Sequence, residues 1–517
     1  MSARGLPPGP RRLSAPIDVV HFVLDPIGNV RSYARRYGRV SRARFPGFGL
    51  MIYVNEPELI KQVFAGDPTV FHAGEATATV LGPAVGPNSL LTLDEQQHMR
   101  QRKLLLPPFH GEKLHRFQAT TREITDRDIE SWPVGEPFSL RRHTQRITLD
   151  VILRAVFGVR SRPRFERART LIDEFARCAN LIVMFPPLRR NLGRWSPWER
   201  FKRARAELDD FLYREIAERR EVPDLAERED VLSLLLQATD EEGRPMSDQE
   251  LRDELVTVIG AGHETTATAL AWAFERLLRN PPVLERLRRS LPEGDAYLDA
   301  TIKETLRARP VILDVARRLT REIELGGYRI PAGSLLVPSI AATHYREDLY
   351  PSPDEFRPER FLDKPPDGYT WLPFGGGVRR CIGASFAQFE MRVIMRAILE
   401  RADLRAARPA PERARLRNIT VAPARGCRVV LVRPPAPPRE RVSEAAGSSA
   451  DPSSSRTAAT EGIAGASRNT MPPRKRCTGA EYLAATALPG LDNPSRLGLA
   501  LALERQSCCG RRDRAGG

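Results

Sequence analysis

Residues 374–383 read Phe-Gly-Gly-Gly-Val-Arg-Arg-Cys-Ile-Gly, a glycine-rich loop that delivers one cysteine to the start of a helix. Beyond it, Phe386, Phe389, Val393, Ile394, Ala397 and Ile398 recur at helical spacing, so Cys381 sits just ahead of a helix N-terminus. A thiolate is favoured there. Only the thiolate ligates metal well, and a free thiol pKa of about 8.5 is lowered by helix-terminal N–H groups, by neighbouring arginines or by the metal itself. A merely structural cysteine in a glycine loop needs no such neighbours, whereas here Phe374, Gly377, Arg379, Cys381 and Gly383 hold fixed places within ten residues.

The longest helical pattern runs from Ser247 to Asn280 and opens with a capping box, Ser247 with Glu250 three residues on. At about 1.5 Å per residue it spans roughly 50 Å, enough to cross a domain. Its middle reads Gly260-Ala-Gly-His-Glu-Thr-Thr266. Each glycine there costs about 1 kcal/mol against alanine, and threonine hydroxyls compete for backbone carbonyls. Small residues at such a place let the backbone approach a flat cofactor, and Thr265, bonded back one turn, opens a groove beside the helix.

The spacing Phe-x-x-Gly-x-Arg-x-Cys-x-Gly, read from Phe374, Gly377, Arg379, Cys381 and Gly383, resembles the heme-binding loop of the cytochrome P-450 family, soluble bacterial type. The resemblance covers about residues 15–433. It implies a mainly α fold with a small β subdomain, the triangular heme-thiolate fold built around a long central helix. Its cofactor is heme b, iron protoporphyrin IX, whose iron is held by Cys381, and the thiolate pushes electron density onto that iron. Gly377 and Gly383 would then admit backbone to the porphyrin, Phe374 would shield the sulfur and Arg379 would pair with a propionate. The pair Glu264-Thr265 matches the family's oxygen-activation motif, in which carboxylate and hydroxyl relay protons to dioxygen.

His98 and Arg102 lie at i and i+4 in a helical stretch over residues 93–106 and share one face. In the resembled family such a pair meets the heme propionates. Arg317 aligns best with a third propionate-binding arginine, with adjacent Arg318 the alternative and His344 a weaker candidate for the same neighbourhood. Glu304 and Arg307 form an E-x-x-R pair; Glu285 with Arg288 and Glu412 with Arg415 satisfy the same pattern, and order along the chain selects the first. The resemblance joins Glu304 and Arg307 to Arg360 in a buried triad whose role is folding.

The remaining periodicities predict helices over residues 19–37, from Pro57, and over 140–156, 164–181, 197–220 and 296–308. They also predict extended segments over 40–54, a small sheet over 315–339 and a hairpin-like stretch over 419–432. Residues 186–195, rich in proline and arginine, interrupt the helices where the resemblance puts a substrate lid.

The net charge of +16 raises nucleic acid as a partner, but the arginines are interleaved with acids rather than stacked with aromatics. The reading is no nucleic acid. From Pro435 onward there are 12 Lys and Arg against 8 Asp and Glu, leaving +12 to the first 434 residues. Cys178, Cys381, Cys427, Cys477, Cys508 and Cys509 form no zinc spacing and no disulfide framework, which fits a reducing, cytoplasmic location. Residues 1–12 contain no apolar run of seven, so neither a signal peptide nor a transmembrane anchor is expected.

The chain thus divides into a heme domain, 1–434, and a Pro/Ser/Ala/Arg-rich tail, 435–517, expected to be disordered. The function implied is a monooxygenase, acting as a monomer, that inserts one atom of O2 into an apolar small molecule. No G-x-G-x-x-G occurs, so electrons would come from a separate ferredoxin or flavodoxin with its NAD(P)H reductase. Arg380, Arg392 and Arg396 flank the cysteine loop as the expected docking face. A peroxide-using heme-thiolate enzyme and a non-catalytic heme sensor are the alternatives, and neither needs the Glu264-Thr265 relay. Because the tail lacks apolar periodicity, truncation after Val432 should leave heme content and melting temperature unchanged; a large fall in melting temperature would overturn this.

Overall fold

The structure, a computed structural model, describes residues 5–10, 15–45, 47–109, 114–158, 162–184, 186–363, 365–435 and 437. The remainder of the tail, with every expectation about it, lies outside the described residues. In chain order the helices are α1 (Ala15–Leu24), α2 (Pro26–Tyr37), α3 (Pro57–Ala65), α4 (Ala73–Val85), α5 (Glu95–Leu105), α6 (Phe117–Glu130), α7 (Leu140–Phe157) and α8 (Arg162–Met184). They continue with α9 (Pro197–Arg220), α10 (Val231–Gln237), α11 (Asp248–Arg279), α12 (Pro281–Ser290), α13 (Ala296–Ala308), α14 (Ile340–His344) and α15 (Ala384–Arg401). The strands are β1 (Val40–Phe45), β2 (Gly49–Val54), β3 (Phe71–His72), β4 (Pro137–Ser139), β5 (Arg317–Leu319) and β6 (Ile323–Leu325). After these come β7 (Tyr328–Ile330), β8 (Leu335–Pro338), β9 (Leu404–Ala406), β10 (Ala414–Arg417), β11 (Thr420–Pro423) and β12 (Arg428–Leu431).

α11 runs unbroken between Ser247 and Asn280, and both halves of the capping box are made. It packs against α7, α9, α13, α15 and β11. Leu255, Leu270, Ala271, Trp272, Ala273 and Leu277 are fully buried, and each large apolar side chain so buried contributes about 1.5–3 kcal/mol. Several of its charged residues are buried too, Arg252 donating to Asp209 and Asp253, and Glu254 accepting the Leu90 N–H at 2.8 Å. Trp272 adds a directional tie, its indole N–H donating to the Val421 carbonyl at 2.8 Å.

The largest sheet has the order β1-β2-β8-β5-β3. β1 and β2 form an antiparallel hairpin with Val40 opposite Val54, and β2 runs parallel to β8. All four residues of β8 are buried, as a continuous apolar run in a central strand requires. Ile52, Ile60, Val63, Phe64, Leu319 and Leu336 form the core beneath this sheet.

Two expectations need correction. The helix expected over 19–37 is two helices, because Pro26 occupies the first turn of α2 and Asp25 caps it, accepting from the Gly28 N–H at 3.0 Å. The stretch 419–432 is not a hairpin on itself: β11 pairs with β10, and β12 lies between β4 and β9. The turn over Gly426 and Cys427, with φ of 74° and 53°, sends the chain into a different sheet.

Glu304 and Arg307 are fully buried on α13 and share two bonds, of 2.7 and 2.8 Å. Arg307 also donates to the carbonyls of His344, Pro353 and Glu355, while Glu304 accepts the Arg357 N–H and lies 3.5 Å from Arg360. The segment 353–360 is thereby stitched to α13. Removing one partner strands a buried charge, so Arg307→Met should lower stability by about 3–5 kcal/mol in a denaturant titration. The exposed pair Arg127 with Glu123 sets the contrast, and Arg127→Met should move the midpoint by less than about 1 kcal/mol.

Candidate functional site

The cysteine loop is built by contacts on both of its flanks. The Cys381 N–H donates to the Phe374 carbonyl at 3.0 Å, closing the loop, and the Phe374 ring packs edge-on against Trp371. Gly375 and Gly377 have φ of 65° and 64°, the left-handed region. A Cβ on Gly377 would lie 2.0 Å from the Phe64 carbonyl oxygen, so this glycine is required by α3. Gly383 caps α15, and its nearest outside neighbour is the Cys381 sulfur, 3.9 Å from a would-be Cβ.

Cys381 is exposed, whereas Cys178 is half-buried and Cys427 buried. Its thiol opens on one side and is packed on the others. Burial pushes its pKa up, against the Gly383 N–H and the charges of Arg102 and Arg380, which push it down. The sequence-based expectation of a lowered pKa therefore holds for the neighbours but not for the net effect in the metal-free protein. Among the described residues no group of three or more His, Cys, Asp or Glu is placed to hold a bare metal ion. A metal at Cys381 must bring most of its other ligands with it.

Beside the cysteine lies a cluster of basic side chains. His98 is buried, and its pKa falls to about 3 through burial and through the charges of Arg379, Arg102 and Arg317. Arg317 is buried and lowered to about 10, with Arg379 adding repulsion; its guanidinium lies 5.5 Å from the Phe64 ring centroid and donates to its neighbour's carbonyl, Ala316, at 2.9 Å. Arg102 is also lowered by burial, with Cys381 and Arg380 nearby. Neither Arg102 nor Arg317 makes an ion pair with a carboxylate among the described residues. Arg379 is lowered to about 10, again chiefly by burial, and binds the Asp94 carboxylate and the carbonyls of Leu90 and Leu93. Four basic side chains thus share one carboxylate, and burying charge without partners is expensive. The set is suited to an anionic ligand with two carboxylates.

Arg318 faces elsewhere, 3.1 Å from Glu75, with a bond to the Gly333 carbonyl. His344 is enclosed between the Arg307 carbonyl and the Leu372 N–H at 2.8 Å. One ring nitrogen donates and the other accepts, so His344 is a neutral structural ring, its pKa lowered to about 3 by burial.

On α11 the small residues separate into two jobs. A Cβ on Gly262 would touch Ile152 at 3.0 Å, so this glycine serves the contact with α7. Gly260 meets nothing within 4 Å and, with Ala261, is exposed in the middle of an otherwise buried helix. An internal helix face exposed in this way borders a recess. The Thr265 hydroxyl opens to the same side and donates to the Ala261 carbonyl at 2.7 Å, the expected back-bond. Glu264 points differently: its carboxylate accepts from Arg141 and from Gln145, the latter at 2.6 Å, both on α7.

The cytochrome P-450 family model matches residues 7–424. The chain belongs to the cytochrome P-450 family. It is 43% identical over 438 residues to a Mycobacterium tuberculosis protein with the provisional name cytochrome P-450 135B1, covering 83% of this chain and 92% of that one. A second protein from that organism, provisionally cytochrome P-450 137, is 39% identical over 442 residues, 83% of this chain and 91% of the other. Among solved structures, the retinoic acid bound cyanobacterial CYP120A1 has a TM-score of 0.72 and 25% identity, covering 83% of this chain and 99% of it. The cytochrome P-450DA heme domain, at 24% identity, has the same TM-score of 0.72 over 83% of this chain and 98% of that one. The mainly α fold with small sheets is theirs, and the cofactor of a cytochrome P-450 is heme b.

The residues fit that cofactor on their own chemistry, with one accessible thiol, cations short of carboxylate partners and an open helix face. Four contributors escaped the sequence analysis. Phe64 carries both Gly377 and Arg317 yet reads only as an apolar position on a short helix. Asp94, just ahead of α5, accepts the Gly74 and Glu75 N–H groups of α4 at 2.8 Å and binds Arg379. Arg141 and Gln145, which hold Glu264, lie more than a hundred residues away in sequence and leave no local signal. Of the expected docking arginines, Arg392 and Arg396 are already paired, with Asp299 and Asp295, while Arg380 is exposed. Gly377→Ala should destabilise the fold by more than about 1 kcal/mol and lower heme content, since it adds a backbone clash to left-handed strain. Gly375→Ala, whose Cβ would meet only Val315 at 4.0 Å, should cost less in the same thermal melt.

Proposed function

We propose that this cytochrome P-450 is a monooxygenase that oxidises an apolar organic substrate with electrons from a separate redox protein. The observation that carries the reading is the accessible Cys381 thiol at the N-terminus of α15 beside the under-paired cations. Cys381 would hold the iron as thiolate, and losing its proton on binding is favoured by the Gly383 N–H, Arg102 and Arg380. His98, Arg102, Arg317 and Arg379 would hold the propionates. When bound, heme b supplies the activation of dioxygen and the transfer of one oxygen atom.

The chain's own part is positioning and proton handling. Thr265 gives its hydroxyl proton to Ala261, so its oxygen lone pairs are free to accept a hydrogen bond from water or ligand in the recess. Glu264 is the nearest acid along α11; once its side chain leaves Arg141 and Gln145 it takes a proton from solvent water and passes it to the recess, directly or through a bridging water. Gly260 and Ala261 leave room for the substrate. With Arg392 and Arg396 already paired, Arg380 remains the docking charge for an acidic ferredoxin or flavodoxin.

Fatty acids, terpenes, steroids and, because of the likeness to the retinoic acid bound CYP120A1, retinoids form the first panel for optical titration of the heme. Cys381→Ser should abolish the red-shifted, thiolate-type spectrum of the ferrous carbon monoxide complex while Cys178→Ser keeps it; a retained spectrum in Cys381→Ser would sink the reading. Thr265→Ala should keep heme binding and lower product per NADPH, with peroxide rising to match. An unchanged coupling ratio would reduce Thr265 to a packing residue.

A further inference from the structure

α4 packs against β5, the strand that carries Arg317, against α11 and against α8. It therefore spans two walls of the recess and touches the segment leading into residues 186–195. It is also a helix with a fault. Pro83 lies inside it and lacks the N–H that would have gone to the Thr79 carbonyl one turn earlier, and the last turn leaves further carbonyls without helical donors.

Arginines from elsewhere take up these carbonyls. Arg189 donates through Nη1 to Thr79 at 2.8 Å and through Nη2 to Val80 at 3.0 Å. Arg205 of α9 donates to Pro83 at 3.0 Å, and Arg252 of α11 to Val85 at 3.4 Å. Arg205 and Arg252 are also anchored to the carboxylate of Asp209. Arg189 is different. It makes no ion pair among the described residues, and its third bond, from Nε, goes to the Ile182 carbonyl in the last turn of α8 at 3.2 Å. Burial lowers its pKa, with no acid acting against it.

We propose that Arg189 is a positioning residue that latches α4 to the end of α8 across the mouth of the substrate recess, using the carbonyl that Pro83 leaves free. Carbonyls suit a latch better than a carboxylate would. Each bond is charge-assisted and directional, yet the group released is neutral and water replaces the partner at small loss. Arg252, paired with Asp253 of its own helix, holds the α11 side of α4, so the side that faces the mutually packed α8 and α9 is the one that opens. The proposal rests on the heme-site reading and adds how ligands enter.

A latch that touches no ligand changes rates and not affinity, which separates it from a substrate-binding arginine. In the heme-loaded enzyme mixed with an aryl imidazole in stopped flow, Arg189→Met should raise the association and dissociation rates together by about tenfold, the loss expected for charge-assisted hydrogen bonds. The dissociation constant should stay within about twofold. In the Pro83→Ala background, where residue 83 supplies Thr79 with its own N–H, the same change should give less than about threefold. Arg189→Lys, which cannot reach both α4 carbonyls and Ile182 with a rigid fork, should fall between and serves if the methionine variant folds poorly.

A second readout needs no heme: backbone hydrogen exchange in residues 77–82 of the apoprotein should be faster in Arg189→Met than in wild type. Unchanged rates and unchanged exchange, in an enzyme with an intact thiolate-type spectrum, would overturn the latch and leave the heme site standing. A wild-type protein without that spectrum would overturn the heme site, and the exchange comparison would then decide the latch by itself. A dissociation constant that shifts by the full tenfold would mark Arg189 as a ligand contact and overturn the gate.

Discussion

A thiol has to stand at the edge of an internal recess that the protein's own side chains must not fill. Close packing is the default of a protein interior, and a void loses the dispersion contacts its lining would otherwise make. Keeping the recess open therefore requires a rigid surround. α11 supplies one wall, with Gly260 and Ala261 exposed in its middle while residues on either side are buried against α7, α13 and α15. The basic side chains of His98, Arg102, Arg317 and Arg379 supply another, where the charges of Arg102 and Arg317 each repel that of Arg379. A cofactor carrying two carboxylates relieves that repulsion, so binding and folding are coupled at this site.

The surround is made rigid by polar ties as much as by apolar packing. The ion pair of Glu304 and Arg307 has no exposed surface, and beyond their mutual bonds Arg307 donates to the carbonyls of His344, Pro353 and Glu355 while Glu304 accepts the Arg357 N–H. Such a pair gains little over apolar side chains of equal size, but it fixes which loop lies against α13, because an alternative packing would leave charge unmet. That loop leads into Trp371 and Phe374, whose edge-on rings precede the glycines. A structural triad with no chemistry of its own thus sets where Cys381 comes to rest.

Much of this was legible in the sequence wherever a signal was local. The capping box at Ser247, the apolar run of β8 and the cysteine loop each state their geometry within a few residues, and the Thr265 back-bond follows from its place in a weakened helix. What escaped depends on contacts far apart in the chain. Gly377 was read as room for a cofactor, but its constraint is the Phe64 carbonyl, and no pattern around residue 64 announces it. Adjacent Glu264 and Thr265 read as a pair, yet neighbours on a helix point about 100° apart, and Arg141 and Gln145 draw the carboxylate toward α7. The break at Asp25-Pro26 was the avoidable error, since a cap followed by proline is itself a helix start.

Many of the arginines behind the charge of +16 are put to use inside the fold. Arg279 donates to the carbonyls of Pro409 and Ala410, Arg219 to Phe157, Arg346 to Asn55, Arg396 to Leu291 and Gly294, and Arg379 to Leu90 and Leu93. Many of these carbonyls end helices or lie in the connections between them, where the backbone has no donor of its own. A planar guanidinium with five donors can serve two carbonyls and a carboxylate at once, which a lysine ammonium does less well. Each of these arginines also reaches a carboxylate, Arg279 that of Glu275, Arg219 Asp230, Arg346 Asp348, Arg396 Asp295 and Arg379 Asp94, so one side chain ties backbone and acid together.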